Sequence, residues 1–389
     1  MIPYGRQSIS EKDIESVVNI LRSDFLTQGP TIEIFEKKVA TYCNAKYAVA
    51  VSNATAALHI ACLSLGLSKS KTLWTSPNTF VASANCALYA GANIDFVDID
   101  PNTYNISIEK LKQKLEIAKS NHCLPDILVP VHFSGLSCDM EKIFKLSKEY
   151  NFQILEDASH AIGGDYQNKP VGNCEFSEAA VFSFHPVKII TTGEGGMVLT
   201  NREDLYEKLI RLRSHGITKN SKYMTHEADG SWYYQQVELG FNYRMTDIQA
   251  ALGVSQMDRL KSFIERRTQL ADRYDHILSK LPITLPTRVP YAKSSWHLYV
   301  IRLNTSEIKK SHKEIFESMR QNGVGVQLHY IPVHTQPYYQ NLGFKNGDFP
   351  ESEKYYAEAI SLPLYYDLKE EEQDRVVGIL RSIINKQLQ

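Results

Sequence analysis

Two residues of this chain, an amine and a carboxylate, stand where together they could do carbonyl chemistry. Lys188 lies in SFHPVKIITTGEGG, behind an apolar run and Pro186 and ahead of Thr191, Thr192, Gly193, Gly195 and Gly196. A lysine is ordinarily a solvated surface charge. Here the glycines make the backbone turn tightly beside something bulky, and a lysine partly buried in such a turn loses proton affinity and becomes a usable amine. Asp157 closes the run FQILED. A carboxylate at a strand's carboxyl end faces the ligand crevice of a parallel sheet, although ahead of ASHAIGG it could also cap a helix. The pair suits pyridoxal phosphate (PLP): the amine joins the cofactor's aldehyde, and the carboxylate keeps its ring nitrogen protonated so that the ring can draw electrons.

A phosphate needs free N–H groups and hydroxyls at a helix start. SNATAALHIA offers Asn53, Ala54 and Thr55 just before a helix of small residues, and Ser183 is a second hydroxyl upstream of the lysine. Alone, such residues are commonly simple caps. The flat pyridine ring needs an aromatic face. Phe80, in SPNTFVASAN, opens a helix after a strand, and His160, three residues beyond Asp157, could lie against the ring's other face. His132, in VPVHFSG, reads as a core histidine with a polar contact.

These residues need a scaffold, and the chain supplies one. Between about residues 47 and 200, the runs AVAVS, TLWTS, IDFVDID, ILVPVHF, FQILEDA, AAVFSFH and GMVLT predict strands. Between several of them, Ile108, Leu111 and Leu115, or Met140, Ile143 and Phe144, recur at helical spacing. The expected class is α/β, with a mostly parallel sheet whose last strands could form a hairpin. Residues 246–281 form one long helical pattern ending at Pro282, suited to bridging two domains. Beyond it come a predicted strand HLYVIRL, a helix from about 313 to 322, a strand VGVQLHY and a last helix near 369–386. The expected division is a large domain over 1–250, with an N-terminal arm, and a smaller α+β domain over 251–389.

Composition narrows the partners. The chain has 389 residues, 43% hydrophobic and 22% charged, with a formal net charge of −1. That is ample for two cores and shows no basic footprint for nucleic acid or an anionic membrane. No signal peptide or membrane-length apolar run is visible, which predicts a soluble, cytoplasmic protein. Six widely spaced cysteines without a C-x-x-C pair argue against a disulfide framework or a structural metal.

EDASHAIG, SFHPVKIITTGEGG and GFNYRMTDIQAALG, in this order and spacing, resemble the DegT-type sugar-nucleotide aminotransferases. The resemblance runs from residue 4 to the C-terminal helix. It implies the fold-type I aminotransferase architecture and a homodimer with PLP between subunits. It assigns Lys188 to the cofactor's aldehyde, Asp157 to its ring nitrogen, Ala54, Thr55 and Ser183 to its phosphate, and Phe80 and His160 to its faces, where many members have glutamine in place of His160. It also sends Asn242 to the phosphate in the neighbouring subunit. Within the family, GRQSISEKDIESVVNILRSDFLTQGP, SHAIGGDYQNKPVG and VQLHYIPVHTQPYY resemble the branch serving pseudaminic acid biosynthesis. That branch aminates C4 of a UDP-linked 4-keto-6-deoxy-N-acetylhexosamine from glutamate, which implies that Tyr4, Phe25, Leu26, Thr27, Gln327, His329 and Tyr330 lie on the substrate side. The alternatives are the same chemistry on a UDP-bacillosamine or dTDP- or GDP-sugar precursor, or a regulatory protein that kept the fold without turnover.

Overall fold

Seven apolar runs become one sheet in the computed structural model, which describes residues 1–385. In chain order they are β1 (Tyr47–Val51), β2 (Thr72–Thr75), β3 (Asn93–Phe96), β4 (Ile127–Val129), β5 (Gln153–Asp157), β6 (Ala179–Ser183) and β7 (Gly196–Thr200). Their spatial order is β1-β7-β6-β5-β4-β2-β3. The pairs β3/β2, β2/β4, β4/β5 and β5/β6 are parallel, whereas β7 runs antiparallel to both β6 and β1. One strand of seven is thus reversed, as a hairpin after β6 requires. The loop of that hairpin carries Lys188.

Every residue of β6 and β7 is buried. Both faces of the sheet are covered, so these strands read as continuous apolar runs instead of alternating ones. One face packs Val49, Val51, Leu155 and Val181 against the helix Ala54–Ser64, and the other packs Ala48, Ala50, Phe182 and Met197 with Phe35 and Phe184. Each valine, leucine, phenylalanine or methionine among them contributes about 1.5–3 kcal/mol when fully buried. The helix after β2 covers Ala82–Tyr89, so Phe80 precedes it by two residues. The spacings at Ile108 and Met140 give the helices Ile108–Ser120 and Met140–Tyr150.

The pattern over 246–281 is two helices, Asp247–Met257 and Leu260–Leu278, not one. The break falls at Asp258 and Arg259, whose side chains are held by the N-terminal arm and the helix Pro30–Cys43. Lys12 and Lys38 bind Asp258, and Arg259 reaches the Ser8 carbonyl at 3.2 Å and Asp13 at 3.3 Å. After the break, Leu260 and Phe263 still pack in the first core, while Leu270, Ala271, Tyr274 and Leu278 enter a second one. That second core surrounds a three-stranded antiparallel sheet of Ile283–Thr284, Tyr299–Leu303 and Ala359–Leu362, with the helices His312–Gln321 and Glu370–Asn385.

VGVQLHY is not a regular strand. Gly325 donates to the Ile2 carbonyl at 2.7 Å and Ile2 to that of Gly323 at 2.8 Å, while only Gln327 bridges to the sheet, at Ser361. A Cβ at Gly325 would come within 2.9 Å of the Ile2 carbonyl oxygen, so the N-terminal arm occupies the position of a ladder partner. No helix among the described residues is long and apolar enough to cross a membrane.

Candidate active site

At the carboxyl ends of β4, β5 and β6 lies a cavity of about 790 Å³. Its walls include Lys188, Asp157, Ala54, Thr55, Ser183, Phe80 and His160, together with Tyr4, His329 and Tyr330. Segments 25–27, 242 and 327 do not line it. Phe25, Leu26 and Thr27 sit on an exposed turn tied to the start of the distant helix Asp247–Met257 by a bridge between Thr27 and its capping residue Thr246. Asn242 is exposed, bridging through its backbone to Ser214, and Gln327 is exposed with its side chain on the Leu328 N–H at 3.1 Å.

Asp157 is buried and begins no helix; turns follow it, and the Ser159 N–H donates to Oδ1 at 3.1 Å. Its other oxygen accepts from Ser83 Oγ at 2.6 Å, and Thr79 Oγ1 lies 2.7 Å from that serine. Ser83 lies 74 residues from Asp157 and looks like any small helix residue, so nothing local in the sequence announces it. Burial pushes the Lys188 amine down from 10.5 to about 8, with the Asp157 carboxylate partly opposing the shift.

Three imidazoles surround this amine. Burial and then the charge of Lys188 hold His160 well below its ordinary value, and hold His329 down to about 3. Burial, His160 and Lys188 do the same to His297, whose ring centroid is 4.3 Å from that of His160. All three are neutral near pH 7. His160 Nδ1 accepts from the Ser134 N–H at 3.3 Å, so the ring proton sits on Nε2 and is donated to Tyr330 Oη at 3.0 Å. The tyrosine's own hydrogen is left free to point elsewhere. His297, within the predicted run HLYVIRL, also lines the cavity and was not among the expected site residues; nor were His59, Tyr243 and Glu194.

The residues present fit PLP. Asn53 caps the helix Ala54–Ser64 by accepting from the Ala56 N–H at 2.8 Å, while the Ala54 and Thr55 N–H groups carry no hydrogen bond among the described residues. Two free donors at the positive end of an 11-residue helix suit a phosphate. Behind them, β7 comes so close that a Cβ on Gly196 would sit 2.5 Å from the Asn53 carbonyl carbon and oxygen. Across the cavity are a carboxylate for a ring nitrogen and an amine for an aldehyde.

The comparisons agree with this geometry. The model of the DegT/DnrJ/EryC1/StrS aminotransferase family matches residues 7–381. The chain is 37% identical over 387 residues to the UDP-4-amino-4,6-dideoxy-N-acetyl-beta-L-altrosamine transaminase of Campylobacter jejuni, covering 99% of this chain and 98% of that one. It superposes on Helicobacter pylori PseC, an aminotransferase involved in the biosynthesis of pseudoaminic acid, with a TM-score of 0.90, 32% identity and coverage of 99% and 100%. It superposes on the PLP form of the putative sugar aminotransferase Spr1654 from Streptococcus pneumoniae with a TM-score of 0.89, 28% identity and coverage of 100% of both chains. With 375 of its positions inside the family model and a cavity that fits the cofactor, the chain belongs to the DegT/DnrJ/EryC1/StrS aminotransferase family and is a PLP-dependent aminotransferase.

Proposed function

We propose that the enzyme transfers the amino group of glutamate to C4 of a UDP-linked 4-keto-6-deoxy-N-acetylhexosamine, working as a homodimer with shared sites. The observation that carries this is the cavity around Lys188, whose wall continues past the cofactor residues to Tyr4, His329 and Tyr330. That leaves room for a sugar beside the amine. The full-length likeness to a transaminase of such a sugar supports the choice of substrate.

PLP supplies an aldehyde for the incoming amine and an electron sink for the carbon that loses its proton. The chain's own residues do the rest. Ala54 and Thr55 N–H groups and Ser183 hold the phosphate, while Phe80 and His160 flank the ring. Asp157, kept in place by Ser83 and Ser159, holds a proton on the ring nitrogen. Lys188 Nζ, once released, takes the proton from the α-carbon of glutamate; in the second half-reaction it delivers one to C4 of the sugar. An amine with a pKa near 8 can do both at neutral pH. His160 donates to Tyr330, so Tyr330 is placed to donate its own hydrogen toward a sugar oxygen.

The test is a product assay with glutamate and a panel of keto sugar nucleotides, following 2-oxoglutarate and reading the configuration at C4 by NMR. Amination of the UDP-linked 4-keto-6-deoxy-N-acetylhexosamine at C4 is the expected result. Turnover confined to dTDP- or GDP-linked sugars would replace the substrate assignment, and absence of 2-oxoglutarate with every sugar would sink it.

A further inference from the structure

His132 has no part in the chemistry above, yet it is fully buried with its backbone directly beside that of Asp157. Its Nδ1 accepts from the Cys138 N–H at 3.1 Å, so its Nε2 proton points to Glu156 Oε2, 2.6 Å away. Ser177 Oγ donates to the other carboxylate oxygen at 2.5 Å. The Glu156 carboxylate thus has two close donors from two different loops. Among the described residues, the thiols of Cys138 and Cys174 also face this cluster.

Glu156 immediately precedes Asp157 on β5, and successive side chains of a strand point to opposite faces. Fixing one therefore fixes the rotation of the strand about its axis, and with it the direction of the other. The backbone repeats the connection. The His132 N–H donates to the Asp157 carbonyl at 3.0 Å, and the Asp157 N–H to that of Pro130 at 2.9 Å, extending the β4/β5 ladder past the regular end of β4 at Val129. One residue thus holds Asp157 by the main chain and its neighbour by the side chain.

We propose that His132, Glu156 and Ser177 form a positioning device that aims the Asp157 carboxylate at the cofactor's ring nitrogen. This rests on Asp157 being the group that meets that nitrogen. A site of this kind works only when its first contacts are held to about 0.5 Å by a second layer of fixed hydrogen bonds. On the cavity side, Asp157 is gripped by Ser83 and Ser159; the buried cluster supplies the grip from behind.

The experiment uses the cofactor-loaded protein and reads the pH midpoint of the visible absorption band that PLP gives when joined to Lys188, with the thermal midpoint beside it. Asp157→Asn is the reference and raises the band's midpoint by about one pH unit or more: without the carboxylate the ring nitrogen gives up its proton, and loss of that nearby positive charge lets the nitrogen shared with Lys188 keep its own proton to higher pH. The paired variant His132→Leu/Glu156→Leu moves the band in the same direction and lowers the thermal midpoint only in part: a buried polar pair exchanged for apolar residues of similar volume need not itself destabilise, while the Cys138 N–H and Ser177 Oγ lose their acceptors. Glu156→Gln keeps an oxygen to accept from Nε2 and stays closer to the parent. Ser177→Ala shifts the band less than the paired variant, and it carries the test if that variant does not fold. A band unmoved in both the paired variant and Ser177→Ala, with Asp157→Asn shifted, overturns the positioning role. A band unmoved in Asp157→Asn instead overturns the assignment of Asp157 itself.

Discussion

At the scale of single residues, the site depends on one amine being neutral often enough to react. With a pKa near 8, about a tenth of the Lys188 amines are uncharged at pH 7, against about three in ten thousand for an ordinary lysine. The sign follows directly: burial lowers the pKa, the uncharged form is the nucleophile, and its fraction grows as pH rises through 8. Mixing the apoprotein with PLP at pH 6 to 10 and timing the visible band should therefore give a rate that climbs and then levels near pH 8. A rate still climbing at pH 10 would mean an unperturbed lysine. Lys188 and Asp157 were legible in the sequence because each carries a local signature, the glycine turn and the strand end. Ser83 and His297 were not. The serine acts through a contact 74 residues away, and His297 enters the cavity from the second core's side of the chain. The neutrality of three histidines could not be read either, since it comes from burial and from Lys188, neither of which a sequence displays.

At the scale of elements, the alternation of strands and helices was legible because burial on both faces leaves continuous apolar runs at strand length. The break at Asp258 was not, because an apolar periodicity continues across a bend when both halves have cores to face. The close approach of β7 to the start of the helix Ala54–Ser64 was invisible too, although its glycine was noticed. Gly196→Ala tests what that approach does. Its Cβ would meet backbone atoms of Asn53 and Ala54 at 2.5–2.6 Å, and backbone cannot swing aside as a side-chain end can. The turn proposed to hold the phosphate has to shift, so PLP affinity should fall at least about tenfold with a stability loss of about 1–3 kcal/mol, as for other overpacked sites. Gly193→Ala is the contrast. Its φ of +80° makes a side chain costly, but nothing lies within 4 Å of a Cβ there, so it should lower the thermal midpoint while leaving PLP affinity nearly intact. Equal loss of affinity in both variants would remove the special role of the β7 contact.

At the scale of the whole molecule, the cavity and the segments outside it belong to one proposal. Asn242, which the family resemblance sends to a phosphate, is exposed in its own chain and absent from its own cavity. The segment leading to it carries Trp232 at 72% exposure and Leu239 at 80%, and Phe25 and Leu26 are also exposed, on the turn bridged to Thr246. Large apolar side chains left in water alongside an unused polar one suit a surface covered by a second copy. In a symmetric dimer each site would then take Lys188 from one protomer and Asn242 from the other. Lys188→Ala dimers lack the amine in both sites, and Asn242→Ala dimers lack the phosphate contact in both. Unfolding and refolding the two chains together in equal amounts makes half the dimers mixed, and each mixed dimer has one intact site, so activity should recover to about a quarter of the parent's. If Asn242 served its own chain's site, every mixed dimer would hold two damaged sites. Activity would then stay at the average of the two parent variants, and the shared-site arrangement would be lost.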